Sequence, residues 1–143
     1  MTKIKAIFNA GGKKKAKTGL VNIKSSNVCP TNVVAGVSGS PTLLSVDDMN
    51  LYDYFVVEQV GAATDEIALP DDAPIGTRFT LYMSEIAIIQ TETDAAEING
   101  VPSKGYTTLA LDLIECIKVT ATGWVMWKIL ESNGAVTSIV PAT

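Results

Sequence analysis

The chain has 143 residues and a formal net charge of −4, with 47% hydrophobic residues, 18% charged residues and no histidine. That length suits a single domain with its own core, and no apolar stretch approaches the roughly 18 residues that a membrane-spanning helix needs. The missing histidine removes the usual general base, the Ser-His-Asp and Cys-His arrangements and most zinc sites. We therefore expect a soluble domain that is not an enzyme and that uses no cofactor and no metal.

The charges are divided unevenly along the chain. Residues 1–24 carry seven lysines and no acidic residue, whereas the rest carries four basic and fifteen acidic residues. Such asymmetry is typical of a basic segment that meets an acidic partner, although a solvated tail is the plainer interpretation. The segment lacks arginine and the body would repel phosphate, so an acidic protein surface fits better than nucleic acid. The predicted partner-binding residues are Lys3, Lys5, Lys13, Lys14, Lys15, Lys17 and Lys24.

The chain begins with a predicted extended basic arm at residues 1–30. Short β-like pieces at 4–8 and 20–23 are separated by a glycine pair and a lysine run, which break any regular element. Residues 31–45 hold small and β-branched residues with glycine and proline, and we expect a connector into the body there. The body is predicted to span residues 31–143.

The body is predicted to be all-β. Alternating and β-branched runs indicate strands at residues 52–60, 66–69, 77–83, 86–90, 106–114, 117–120, 124–131 and 135–140. Asn99-Gly100 and the segments 121–123 and 132–134 are typical of turns. A helix over residues 106–118 is the competing interpretation, but the alternation of Leu109, Leu111 and Leu113 favours strands. These signals predict an antiparallel β-sandwich or barrel-like domain.

Residues 124–130 are apolar on both faces of the predicted strand, apart from Lys128. Such a strand lies either in the centre of a sandwich or under another subunit. Arg78, the only arginine, would suit a carboxylate across a subunit boundary, although a solvated strand end is the simpler interpretation. The predicted oligomer-interface residues are therefore Arg78, Trp124, Met126 and Trp127.

Other candidate sites lack the pattern that their chemistry requires. The acidic pairs at 47–48, 65–66 and 71–72 do not form a calcium-binding loop, and we interpret them as loop carboxylates. The Gly11-Gly12-Lys13 segment does not match a phosphate-binding loop. Cys29 and Cys116 have no neighbouring cysteine, so buried thiols are favoured over a disulfide, which stays open.

A family resemblance rests on Leu69-Pro70, residues 75–81, Ile98-Asn99-Gly100 and Gly123-Trp124. The order of these strand and turn motifs over residues 65–130 resembles the small β domains of tailed-bacteriophage virion proteins, namely head fibres, capsid decoration proteins and tail-fibre segments. The resemblance implies a homo-oligomer, commonly a trimer, that is anchored to the particle by an N-terminal part. No long stalk precedes the body, which favours a capsid decoration or cement protein on the capsid exterior, made in the host cytoplasm and bound to the major capsid protein.

Two other functions remain open at this stage. The body could be a receptor- or glycan-binding tip of a head or tail fibre, with Tyr52, Tyr54, Tyr82 or Tyr106 as stacking platforms. It could also be a small hydrolase that uses only aspartate and glutamate, as glycosidases do.

Overall fold

The structure is a computed structural model that describes residues 31–130 and 137–142. The seven lysines of the predicted arm, Cys29 and the turn predicted at 132–134 lie outside the described residues. The elements are β1 Thr31–Val34, β2 Thr42–Leu43, α1 Val46–Leu51, β3 Tyr54–Glu58, β4 Glu66–Leu69, β5 Arg78–Met83, β6 Ile88–Thr91, β7 Glu97–Ile98, β8 Val101–Pro102, β9 Tyr106–Thr107, β10 Leu113–Lys118, β11 Gly123–Leu130 and β12 Thr137–Ser138.

The first six strands form three stacked rungs. In each rung the first strand (β1, β3, β5) joins a large sheet and the second (β2, β4, β6) joins a small sheet. Strands in successive rungs run parallel, and aligned positions are 22 to 26 residues apart. The described part therefore confirms an all-β fold and has a β-solenoid-like arrangement.

The prediction of a purely antiparallel body is wrong, because the three rungs pair in parallel. Antiparallel pairing is confined mainly to the later strands. In the large sheet β10 lies antiparallel to β5 and β11 antiparallel to β10, while in the small sheet β9 lies antiparallel to β6. These later strands cover the third rung, whereas β1 and β2 of the first rung stand at the edges of their sheets within the described residues.

One hydrophobic core lies between the two sheets. The large sheet contributes the inward residues of β3, β5, β10 and β11, and the small sheet contributes Ile67, Leu69 and Ile89. Alternate residues of β5 and β10 are buried, as expected for strands with one face on a core. Phe79 contacts the rings of Phe55 and Trp124 edge to face, with centroids 5.4 and 5.8 Å apart.

The first rung turns tightly at Gly36. This residue forms an isolated bridge with Glu66, and a Cβ atom added to it would lie 2.2 Å from the Ser40 carbonyl oxygen. Only glycine fits such a close approach of two backbone segments. The connector predicted at residues 31–45 thus contains β1 and β2, which pair with the second rung.

Two local predictions were wrong for identifiable reasons. The alternation of Leu109 and Leu111 predicted a strand, but these residues form a turn in which both side chains are exposed and Leu111 has φ of 72°. Helix α1 was not predicted, although Ser45 caps it by accepting a hydrogen bond from the Asp48 N–H and two aspartates occupy its first turn.

Candidate protein-interaction surface

The solvent side of the large sheet is a broad, mainly apolar surface. Strand alternation points the residues between the core positions outward, and the residues of four adjacent strands align there. We call this surface the outer face; it comprises Tyr54, Val56, Arg78, Thr80, Tyr82, Leu113, Glu115, Ile117, Val125, Trp127 and Ile129, all half-buried or exposed. An apolar sheet face that the described part of its own chain leaves accessible is a candidate contact surface for another molecule.

An ion pair joins two strands of the outer face. The Arg78 Nε donates to the Glu115 Oε2 across the β5–β10 pairing, and Glu115 aligns with Trp127 on β11. The Arg78 side chain is 63% exposed, so water screens the pair and its contribution to folding is small. Its removal from water by a partner would strengthen it and help to orient that partner.

A groove of about 780 Å³ opens beside this ion pair. Its walls are the end of α1, the loop before β5 and the first half of β5, and they include Asp53, Ile75, Arg78 and Glu115. Ile75 is 65% exposed at the rim. The groove therefore combines an apolar rim with both signs of charge and is continuous with the outer face through Arg78, Thr80 and Glu115.

The four predicted interface residues separate into two pairs. Arg78 and Trp127 lie on the outer face, where a partner could reach them. Trp124 and Met126 are each 1% exposed and lie in the chain's own core. Their assignment as interface residues was wrong, because side chains enclosed by their own fold offer no surface to a partner. The run at residues 124–130, predicted to lie either in a core or under another subunit, therefore lies in the core only on the inward face of β11.

The sequence did not reveal two neighbours of Trp127 on the outer face, Glu115 and Ile117. The strands predicted at 106–114 and 117–120 leave a gap within β10, whose bounds are Leu113–Lys118, so Glu115 was assigned to no strand and Ile117 to a separate one. In the structure Glu115 pairs with Trp127, and Ile117 pairs with Val125. The sequence signal was weak, because residues 113–118 alternate in burial but not in polarity: Ile117 is half-buried on the outer face and Lys118 is buried.

Lys118 is enclosed beneath the loop that follows β4. It is 1% exposed, its Nζ donates to the Asp71 carbonyl oxygen at 2.7 Å, and the same atom lies 5.2 Å from the centre of the Trp124 ring. Burial lowers the pKa of Lys118, and the charges of Asp71, Asp72 and Glu92 offset part of this effect.

Lys128 is also inside the fold, although it interrupts an otherwise apolar run. Its Nζ lies 3.3 Å from the Asp112 Oδ1, and both residues are buried. Burial acts to lower the pKa of Lys128, but hydrogen bonds with Tyr106 and Asp112 outweigh burial and raise it. A charge in this position is tolerated because the partner carboxylate is enclosed with it.

The surface of the described body is strongly acidic, although two lysines and three carboxylates (Asp65, Glu66 and Asp112) are buried. Among the described residues, the two basic side chains at the surface are Arg78 and Lys104. Eleven carboxylates share that surface: Asp47, Asp48, Asp53, Glu58, Asp71, Asp72, Glu85, Glu92, Asp94, Glu97 and Glu115. The described surface of the body therefore has a net charge of about −9, opposite in sign to the seven lysines of residues 1–24.

The acidic pair at residues 65–66 has structural partners. Asp65 accepts backbone N–H bonds from Val60, Gly61 and Ala62, and Glu66 accepts from Ser38, Gly39 and Gln90. The described residues contain no group of three or more potential ligands that could hold a metal ion. These two carboxylates therefore fasten loops to the small sheet.

The remaining sequence candidates are at separate places. Tyr54 and Tyr82 lie on the outer face, whereas Tyr106 packs against the core. Tyr52 follows α1, where its backbone N–H donates to the Asp48 carbonyl oxygen. Cys116 is a free, fully buried thiol, and burial raises its pKa. It is therefore protected from thiol chemistry in the folded protein.

Two further findings concern the chain as a whole. In the described ranges, no helix is long and apolar enough to cross a membrane. Comparison with models of known protein families, with curated proteins and with solved structures found no significant match.

Proposed function

We propose that the chain is a structural protein of a virus particle, a capsid decoration or cement protein of the tailed-bacteriophage type. It binds the exterior of the capsid as a homo-oligomer and stabilises the lattice of the major capsid protein. It acts by binding and assembly, without catalysis, a cofactor or a membrane. The protein is made in the host cytoplasm and works on the assembled particle.

The observation that carries the proposal is the separation of charge. Seven lysines fall within residues 1–24, while the described part of the body presents eleven carboxylates and two basic side chains at its surface. A basic segment on an acidic body suits a protein that docks through that segment on an acidic surface and keeps its own body in solution. The resemblance over residues 65–130 supports a capsid as that surface.

The finer architecture belongs to the same proposal. Residues 1–30 form an extended arm that docks on the lattice, and residues 31–143 form the body, with the two sheets packed as in a sandwich. The outer face supplies the contacts between copies, with Trp127 as an apolar anchor and the Arg78–Glu115 pair setting the orientation. Contacts through this face alone are expected to build a trimer.

The decisive experiment is to measure binding to purified capsids while the charge of the arm is changed. All seven arm lysines are replaced by glutamine in one variant and by arginine in a matched control, which keeps the charge. We expect binding to fall by at least tenfold in the glutamine variant, to persist in the arginine variant, and to weaken with added salt. Unchanged binding by the glutamine variant, or by a chain without residues 1–24, contradicts the docking role.

Copurification with particles tests the assignment to a virion. The protein should be present in intact, purified particles at a fixed copy number relative to the major shell protein. A protein absent from particles, and without affinity for isolated shells, is not a decoration protein.

A fibre tip that binds a receptor or glycan is the second candidate. Tyr54 and Tyr82 lie on adjacent strands of the outer face, where aromatic rings suit stacking against sugars. Binding to a glycan array that is lost in Tyr82→Ala but unaffected by removal of residues 1–24 would favour this candidate over the cement protein.

A further inference from the structure

The two ends of the stack of rungs differ. The third rung is covered by antiparallel strands, with β10 on β5 and β9 on β6. The first rung has strands on one side only among the described residues, because β1 and β2 each stand at the edge of a sheet. We call this end, formed by β1, β2 and the turn between them, the open end.

The open end presents backbone groups that can pair with another strand. The Ala35 N–H bonds to Glu58 on β3, so alternation turns the N–H and C=O groups of Asn32 and Val34 to the opposite side. On the small sheet the Leu44 N–H bonds to Ala68 on β4, which turns the backbone of Leu43 outward in the same way. Exposed edges of this kind are ready to accept a further strand.

The open end also lacks the charges that usually protect a sheet edge. Residues 25–46 contain no ionisable group except Cys29, whereas charged residues form 18% of the chain. Three apolar side chains of this rung are exposed, with fractions of 49% for Val34, 59% for Val37 and 48% for Leu43. Four carboxylates from outside this rung lie close to it: Glu58 is bonded to Asn32, Glu66 is bonded to Ser38 and Gly39, and Asp47 and Asp72 line a shallow pocket with Leu43.

We propose that the open end is the docking site for a second copy of this chain. Two copies of an acidic body repel each other across most of their surface, and the open end, whose own residues carry no charged side chain, is where they can meet with the least repulsion. A twofold axis between the copies pairs β1 with β1 and β2 with β2, antiparallel in each case, and joins both sheets across the dimer. The exposed valines and leucine are then buried between the copies.

This interface differs from the outer face in the number of copies that it allows. Edge pairing about a twofold axis closes after two chains, whereas a cluster of outer faces around a threefold axis gives a trimer. A dimer in solution therefore indicates association through the open end, and a trimer indicates association through the outer face. A hexamer requires both interfaces. The proposal does not depend on the virion assignment, because association of the purified protein is measured without particles.

The test is the mass of the full-length protein in solution, measured by sedimentation over a range of concentrations. Val34→Pro removes an N–H on the free side of β1 while leaving its bonds to β3, which is where an edge strand tolerates proline. Leu43→Glu adds a repelling charge to β2. Val34→Thr is the control for Val34→Pro, because it keeps the N–H. Val119→Glu is the control for Leu43→Glu, because it places the same charge on an exposed residue between β10 and β11.

We expect an even-numbered oligomer whose dissociation constant rises at least tenfold in Val34→Pro and in Leu43→Glu, with both controls unchanged. Circular dichroism confirms that each variant is folded. A monomer at every concentration overturns the proposal and indicates that residues 1–30 or a different protein cover this edge. A trimer that is insensitive to both variants overturns it in favour of the outer face.

Discussion

At the scale of single residues, the buried carboxylate of Asp65 holds a loop in place. The Asp65 Oδ2 accepts from the Val60 N–H at 2.8 Å, from Gly61 at 3.2 Å and from Ala62 at 3.4 Å, which closes the loop between β3 and β4. Burial by itself would raise the pKa of this carboxyl, but the three backbone donors outweigh burial and lower it. Asp65 therefore stabilises the fold in its charged form.

The pH dependence of this contribution follows from the sign of the shift. Because the pKa of Asp65 is lowered by folding, its contribution is complete above the ordinary value of 3.8 and is lost as the pH falls through the folded-state value. We expect Asp65→Asn to lower the free energy of unfolding at pH 7. At pH 3 the free energies of the variant and of the original chain should differ by less. Urea unfolding at both pH values measures the difference.

Asp94→Asn is the matched control for Asp65→Asn, since it removes the same charge from an exposed loop. It should change the free energy of unfolding by less than about 0.5 kcal/mol at pH 7. If the free energies of unfolding of Asp65→Asn and the original chain differed equally at both pH values, the assigned role of the carboxylate would be contradicted.

Lys118 and Lys128 mark the limit of prediction from residue type. Lysine is almost never fully buried unless it is paired, so an acidic chain with ten lysines gave no reason to place two of them in the interior. Their partners, the Asp71 carbonyl and the Asp112 carboxylate, are 47 and 16 positions away in sequence. Pairing over such separations depends on the tertiary fold.

At the scale of elements, strand positions were predictable and strand partners were not. The strand predicted at residues 66–69 has the bounds of β4, and that at 124–131 differs from β11 by one residue at each end. β11 contains β-branched and aromatic residues after a glycine turn, and β4 is a short, mainly apolar run that ends at Pro70. The parallel pairing of rungs was not predictable, because it depends on residues 22 to 26 positions apart and no repeated motif marks them.

The turn at Asn99-Gly100 was predicted correctly, and the structure assigns it a further role. Asn99 and Gly100 have φ of 52° and 80° between β7 and β8, which this pair accommodates. The Asn99 Nδ2 also donates to the carbonyls of Met126 and Ile139, and its Oδ1 accepts from the Met126 N–H. One side chain thus joins the hairpin to β11 and to residue 139.

We expect Asn99→Asp to lower the free energy of unfolding by about 2 to 3 kcal/mol. Aspartate tolerates positive φ, so the turn survives, but a carboxylate has no N–H for the two carbonyls and repels them. Chemical denaturation measures the loss. Asn50→Asp, on an exposed residue of α1, is the control and should cost less than about 0.5 kcal/mol; equal losses in the two variants would contradict the role of Asn99.

At the scale of the whole molecule, the order of strands in the sheets predicts a gradient of local stability. β5 lies between β3 and β10, and β10 lies between β5 and β11, whereas β1 and β2 have one neighbour each within the described residues. Backbone groups in the middle of a sheet open only when much of the fold opens, while edge groups open locally. The rungs should therefore become less protected from β5 towards β1.

Hydrogen exchange measures this gradient directly. At low protein concentration we expect the backbone amides of β5 and β10 to exchange most slowly. Among strand residues, Asn32, Val34 and Leu43 should exchange fastest. These edge amides should become protected as the concentration rises, if a second copy covers the open end. Uniform exchange across all strands would contradict a gradient from the open end, whatever the state of association.

Enclosure of Lys118 and Lys128 has a practical consequence for chemical labelling. An amine-reactive dye or cross-linker that is applied to the native protein has no access to these two side chains, so within the described residues Lys104 is the accessible lysine. The other seven lysines all lie in residues 1–24. Amine-reactive labels are therefore expected to react mainly with the lysines of the segment proposed to bind the capsid. A decrease in their labelling on binding would show which of these lysines the capsid covers.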